Sequence, residues 1–210
     1  NFAGAVNFHR YNEPLIELEK VKRLSRYARN EMPESTIIIY TNALMLSTTI
    51  GLDLLDSGVS KFIVSAYSQK MKTRVEKNLD IIATSQDDGI VDKTIFPFIS
   101  AGEGDPWGDS KLDDRMSIYE RANRGDVRAS KYGACSSPLL EVVISHTGSV
   151  VMCCLDWNDQ VIFGNIYEQP LSEILMSEQL IHLYAELSLD LRSSNMCKAC
   201  GWSRNAATLV

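Results

Sequence analysis

The spacing of apolar residues divides this chain into two parts. Through the first hundred positions, short continuous apolar runs alternate with stretches of helical period. Phe2–Phe8 (FAGAVNF) reads as a short buried strand, Thr36–Tyr40 (TIIIY) as a β-branched strand buried on both faces, and Lys61–Ala66 (KFIVSA) as a third. Lys93–Ile99 (KTIFPFI) is a fourth, interrupted by Pro97. Three helices lie between them. Pro14–Asn30 carries Leu15, Leu18, Val21 and Leu24 at intervals of three, and Pro14 suits a first turn. Ser47–Ser57 is closed by Gly58, and Lys70–Thr84 sets Val75, Leu79 and Ile82 on one face. Repeated βα units of this length predict a parallel sheet or barrel.

The pattern then changes. Ala101–Asp109 (AGEGDPWGD) reads as a loop, and the polar stretch to Ser130 is expected to hold a short helix about Asp113–Ala122. The boundary falls here, with residues 1–110 as an α/β domain, 111–134 as a linker and 135–210 as a small second domain. Leu139–Ser145 and Ser149–Leu155 predict a hairpin turning at His146-Thr147-Gly148, where Gly148 can take φ > 0. Pro170–Leu187 predicts one helix carrying Leu171, Ile174, Leu175, Leu180, Leu183 and Leu187.

Composition narrows the function classes. With 210 residues, 45% of them hydrophobic, the chain can bury one sizeable core and an appendage. A net charge of -6 argues against a bare nucleic-acid surface, which needs a basic face. No apolar run approaches the roughly 18 residues of a membrane helix. Asn1-Phe2-Ala3-Gly4 shows neither the basic segment nor the long apolar core of a secretion signal. Five cysteines, an odd number, argue against a closed disulfide framework and for a reducing cytoplasm. The first residue is not Met, so the sequence reads as starting inside a longer protein.

All five cysteines lie at or beyond position 135. Cys135 is followed by twelve residues, Gly148, four residues and Cys153; Cys197-Lys198-Ala199-Cys200 comes much later. The hairpin should bring Cys135 towards Cys153, and the long helix should return the chain to deliver Cys197 and Cys200. This is a soft-metal pattern, and the spacing leaves zinc and an iron–sulfur cluster both open. Cys154 follows Cys153 on an expected strand, so it should point away as a small buried hydrophobe.

Other candidates lie where strands end. They are Asn12-Glu13-Pro14 after the first strand, Thr41-Asn42-Ala43 after the second, and Ser65 and Tyr67 at the third. In parallel βα folds this edge binds ligands. Glu13 can accept from a ligand ammonium, and Asn42 and Ser65 can bind hydroxyls or a carboxylate. Each also has a local reading: Asn42 as a turn residue, Glu13 as a partner of the helix dipole, Ser65 as core.

Together these segments resemble the radical S-adenosylmethionine (radical SAM) family with a C-terminal SPASM or shorter "twitch" auxiliary-cluster domain. Tyr11-Asn12-Glu13-Pro14-Leu15 resembles its Gly-Gly-Glu-Pro segment, with Asn12 in place of the second Gly. Thr41-Asn42-Ala43 resembles its Thr-Asn-Gly, and Val64-Ser65-Ala66 its ribose- or carboxylate-binding position. Asn123-Arg124-Gly125, Cys153-Cys154-Leu155-Asp156 and Phe163-Gly164-Asn165-Ile166 resemble segments of the auxiliary half.

The resemblance implies a partial (β/α) radical SAM barrel with a hairpin-plus-helix auxiliary domain. It implies one auxiliary 4Fe-4S cluster on Cys135, Cys153, Cys197 and Cys200, and S-adenosylmethionine held near Asn12, Glu13, Thr41, Asn42, Ser65 and Tyr67. In such enzymes a 5′-deoxyadenosyl radical abstracts a substrate hydrogen, with dehydrogenation as one outcome, and Arg124 and Asp156 become candidate catalytic contacts. The implied partners are a small-molecule or peptide substrate and a reductant such as flavodoxin or ferredoxin, without nucleic acid or membrane. The family's C-x3-C-x2-C loop, which ligates the catalytic 4Fe-4S cluster, is absent from these residues. A second cluster is therefore expected only with an upstream segment, and the chain as given should be inactive. The rival expectations are a zinc-stapled binding module without catalysis and an electron-transfer protein using the C-terminal cluster.

Overall fold

The computed structural model describes residues 2–66, 69–84, 92–97, 120–126, 134–156 and 158–200. The chain divides into two compact units, Asn1–Asp109 and Ser110–Val210.

The first unit is built on four parallel strands in sequential order: β1 (Ala5–Asn7), β2 (Thr36–Thr41), β3 (Lys61–Ala66) and β4 (Asp92–Pro97). Helices α1 (Leu18–Glu31), α2 (Thr48–Asp56) and α3 (Gln69–Thr84) follow the first three strands. Neighbouring placement of successive strands is what repeated βα units produce. The unit is thus α/β with a parallel sheet, and no closed barrel forms among the described residues. The helix expected from Pro14 starts as a 3-10 turn, Pro14–Glu17, before α1. Residues 98 and 99, expected in β4, lie outside the described set.

Ile37, Ile38 and Ile39 are all buried, so β2 is covered on both faces, as its continuous apolar run requires. β3 instead alternates, with Phe62, Val64 and Ala66 buried. Leu54, Val75, Leu79 and Ile82 complete the core, each large side chain contributing about 1.5–3 kcal/mol of transfer free energy. α2 approaches α3 closely at Gly51, where a Cβ would overlap the Ile82 side chain. At the start of the strands Arg29 donates to Pro33 O (2.7 Å), Ser35 O (2.8 Å), Gly58 O (2.9 Å from Nη2) and Ser60 Oγ (2.7 Å).

The second unit has shorter elements. Residues 120–124 are helical. Then come α4 (Ser137–Leu140), the antiparallel strands β5 (Val143–Ile144), β6 (Ser149–Val151) and β7 (Ile162–Asn165), and the helices α5 (Leu171–Leu175), α6 (Glu178–Ser188) and α7 (Asn195–Ala199). The hairpin is shorter than expected. Pro138 sits in the first turn of α4, so Leu139 and Leu140 are helical and β5 starts at Val143. Gly148 takes φ +83° in the turn, as expected. The single helix expected over Pro170–Leu187 is two. The Ser177 hydroxyl accepts from Leu180 N and caps a new helix after Met176. Val150, Met152, Phe163, Ile174, Leu180, Leu187 and Met196 form the core.

Candidate functional site

The cysteines converge in the second unit. Cys135 precedes α4, Cys153 and Cys154 follow β6, Cys197 lies on α7 and Cys200 is the C-cap of α7. Ser194 starts α7 by accepting from Cys197 N, and one helical turn sets Cys197 and Cys200 on the same side. All five cysteines line one cavity of about 200 Å³, walled by Met152, Leu155, Leu187 and Met196. The expectation for Cys154 is overturned. β6 ends at Val151, so Cys153 and Cys154 sit beyond it, where strand alternation no longer applies.

Burial pushes the Cys153 thiol well above its ordinary pKa; the adjacent Cys154 adds to this, and a bond to the Leu155 backbone opposes it. Burial pushes Cys197 up to about 11, opposed by the Ser194 hydroxyl and, more weakly, by the Arg192 charge. Such thiols give up their protons when a bound metal supplies the compensating charge. Besides the thiols the walls hold apolar groups, Ser137 and Arg192, and no carboxylate or imidazole, so the donors are soft. Among the described residues, no three His, Cys, Asp or Glu side chains close in on one ion position. A cavity lined by thiols offers the soft donors that a four-iron cluster takes, so the residues fit that group.

Arg192 was not anticipated from the sequence. It lines the same cavity, and its Nη1 donates to Cys200 O at 2.9 Å and Cys197 O at 3.4 Å. The sequence signal is a basic residue five positions before the first cysteine of the C-x-x-C pair.

In the first unit Glu13, Thr41 and Asn42 form one network. Glu13 Oε1 accepts from Thr41 Oγ1 at 2.7 Å and Leu15 N at 3.2 Å, and Oε2 accepts from Asn42 N at 2.7 Å. Thr41 Oγ1 in turn accepts from Ala43 N, and Asn42 Oδ1 from Leu44 N. Ala43 takes φ +57°, a left-handed conformation, and Arg74 Nη2 donates to its carbonyl at 2.8 Å. Asn12 Oδ1 accepts from Arg10 N and its Nδ2 donates to Phe8 O, tying the loop after β1. Ser65 is half-buried at the end of β3, one residue from the strand's last position. Tyr67 lies outside the described residues.

The two candidate catalytic residues sit differently. Asp156 is fully buried, and its oxygens accept from Gln160 N and Val161 N, each at 2.9 Å, so its carboxylate orders the loop before β7. Arg124 is exposed and pairs with Asp126 at 3.1 Å.

Residues 135–201 match the SPASM iron–sulfur cluster-binding domain. Over 201 residues the chain is 25% identical to the S-adenosyl-L-methionine-dependent 2-deoxy-scyllo-inosamine dehydrogenase of Niallia circulans, covering 95% of this chain and 74% of that protein. It is similar in fold to BtrN in complex with AdoMet and 2-DOIA (TM-score 0.70, 24% identity, 97% of this chain and 77% of that one). It also resembles native anSMEcpe with bound AdoMet (TM-score 0.51, 14% identity, 96% and 74%). Residues of the C-terminal unit thus match an iron–sulfur cluster-binding domain, and the fold is similar to those of two proteins solved with AdoMet bound.

Proposed function

We propose that this chain is the S-adenosylmethionine-binding and auxiliary-cluster part of a cytoplasmic radical SAM oxidoreductase, its sheet forming part of a (β/α) barrel. The observation that carries this is that Cys135, Cys153, Cys197 and Cys200 line one cavity. The cofactors supply the radical chemistry that removes a hydrogen atom from substrate, and the chain supplies binding and orientation. The substrate class is a small-molecule alcohol or a peptide, and the electron donor a flavodoxin or ferredoxin.

Glu13 would receive the ammonium of S-adenosylmethionine. A carboxylate has about four acceptor positions, and the three bonds from Leu15, Thr41 and Asn42 leave room for one more. Those bonds also fix the carboxylate, so little freedom is lost on binding. Asn42 and Ser65 would meet the ribose or carboxylate, with Asn12 and Thr41 holding the loops in place and Tyr67 as a further contact. Asp156 keeps the loop after Cys153 in shape, and Arg124 is a candidate substrate contact.

Anaerobic reconstitution should give about four irons and four sulfides per chain. Stoichiometric zinc instead would overturn the reading. No cysteine precedes Cys135, so these 210 residues should form no 5′-deoxyadenosine with dithionite, and an upstream C-x3-C-x2-C segment should switch its formation on. An iron-loaded chain inert in both forms would indicate an electron-transfer protein.

A further inference from the structure

Building on the cluster reading above, we infer that Arg192 is a positioning residue that sets the auxiliary cluster's redox poise, by tying the Cys197–Cys200 turn through two carbonyls and presenting a fixed positive charge to the cysteine-lined cavity. The Arg192 side chain is only 9% exposed. Its Nη1 donates to the carbonyls of Cys197 and Cys200, and Nε donates to Asp190 Oδ1 at 3.3 Å. One guanidinium therefore spans the cluster-side turn and a carboxylate that is 42% exposed.

A guanidinium does not lose its proton in proteins, so this charge is permanent. Arg192 lines the same cavity as the cysteines, so its charge lies in the wall around their sulfurs. A cluster that accepts one electron gains one negative charge. A cation fixed in the low-dielectric wall stabilises that reduced form and raises the potential. Asp190 offsets part of the field, less than fully because water screens it. The arrangement suits a cluster that takes up an electron during turnover.

The test is an EPR-monitored redox titration of the reconstituted full chain, with dithionite as electron donor. In Arg192→Gln the ratio of reduced to oxidised cluster at a fixed poise should fall about tenfold, which is about 59 mV for one electron. Arg192→Lys should recover most of the shift, because it keeps the charge. Asp190→Asn should move the ratio the opposite way. Asn tolerates the left-handed backbone that Asp190 adopts (φ +56°), so this variant tests the charge without disturbing the turn. Iron-loaded Arg192→Gln that titrates as wild type would overturn the inference. If that variant loses its iron, Asp190→Asn decides: a higher ratio supports the inference and an unchanged one overturns it. Zinc in the wild-type chain would sink the cluster reading and this inference together, whereas unchanged potentials in iron-loaded variants sink only the role of Arg192.

Discussion

The two units are held together by different means. In the first, three six-residue strands beside the three-residue β1, with helices of up to sixteen residues, bury Phe62, Leu54, Ile37, Ile39, Leu79 and Ile82 completely. In the second, among the described residues, strands run two to four residues, only α6 passes ten, and three of the cysteines pack against the core itself. A parallel sheet between helices is stabilised by apolar burial wherever its ligands are. A set of short elements around a sulfur-lined cavity has little apolar surface to spare, and small domains of this kind depend on a metal or cross-link. The second unit should therefore fold with its cluster and the first without it.

The largest expected effect breaks the comparison if it fails. Removing the cluster, by oxidative bleaching or Cys153→Ala, should destabilise the second unit by on the order of 10 kcal/mol, as structural metals do. Calorimetry with limited proteolysis should show that unit digested and the first intact. Equal resistance of both units would show that the second stands on its own core. Next in size is Phe62→Ala, a fully buried side chain in the first core. It should cost about 3–5 kcal/mol in the first unit's transition and leave the iron content unchanged. The smallest effect sharpens the contrast within the second unit. Ser177→Ala removes the cap of α6, whose bond to Leu180 N is long at 3.4 Å. The loss should be about 1 kcal/mol, read as a lower melting point of that unit with normal iron.

Legibility in the sequence follows the same division. Thr36–Tyr40 and Lys61–Ala66 could be read as strands because continuous or alternating apolar runs report burial directly. The helix break at Ser177 was hidden, since leucines keep helical spacing across it while the capping bond forms locally. β7 has four residues, one of them a glycine, and α7 only five, so neither carries a period long enough to read. The position of Cys154 is hidden for a related reason: the apolar run continues past Val151, where the strand and its alternation end. Cysteine spacing picks out residues that line one cavity, and the loop geometry that sets Arg192 among them is a matter of tertiary packing.

Arg29 gives the first unit a freedom that its binding edge alone would not have. Its guanidinium secures the segments entering β2 and β3 through Pro33, Ser35, Gly58 and Ser60. Glu13, Thr41 and Asn42 lie at the opposite ends of the strands. The entering ends are thus anchored independently of whatever occupies the exits. Residues such as Asn12, Asn42 or Leu44 can be exchanged, and new ligand preferences sampled, without unsettling the sheet. Exchange of Arg29 would instead weaken every such variant alike, so evolvability at one edge of this unit rests on constancy at the other.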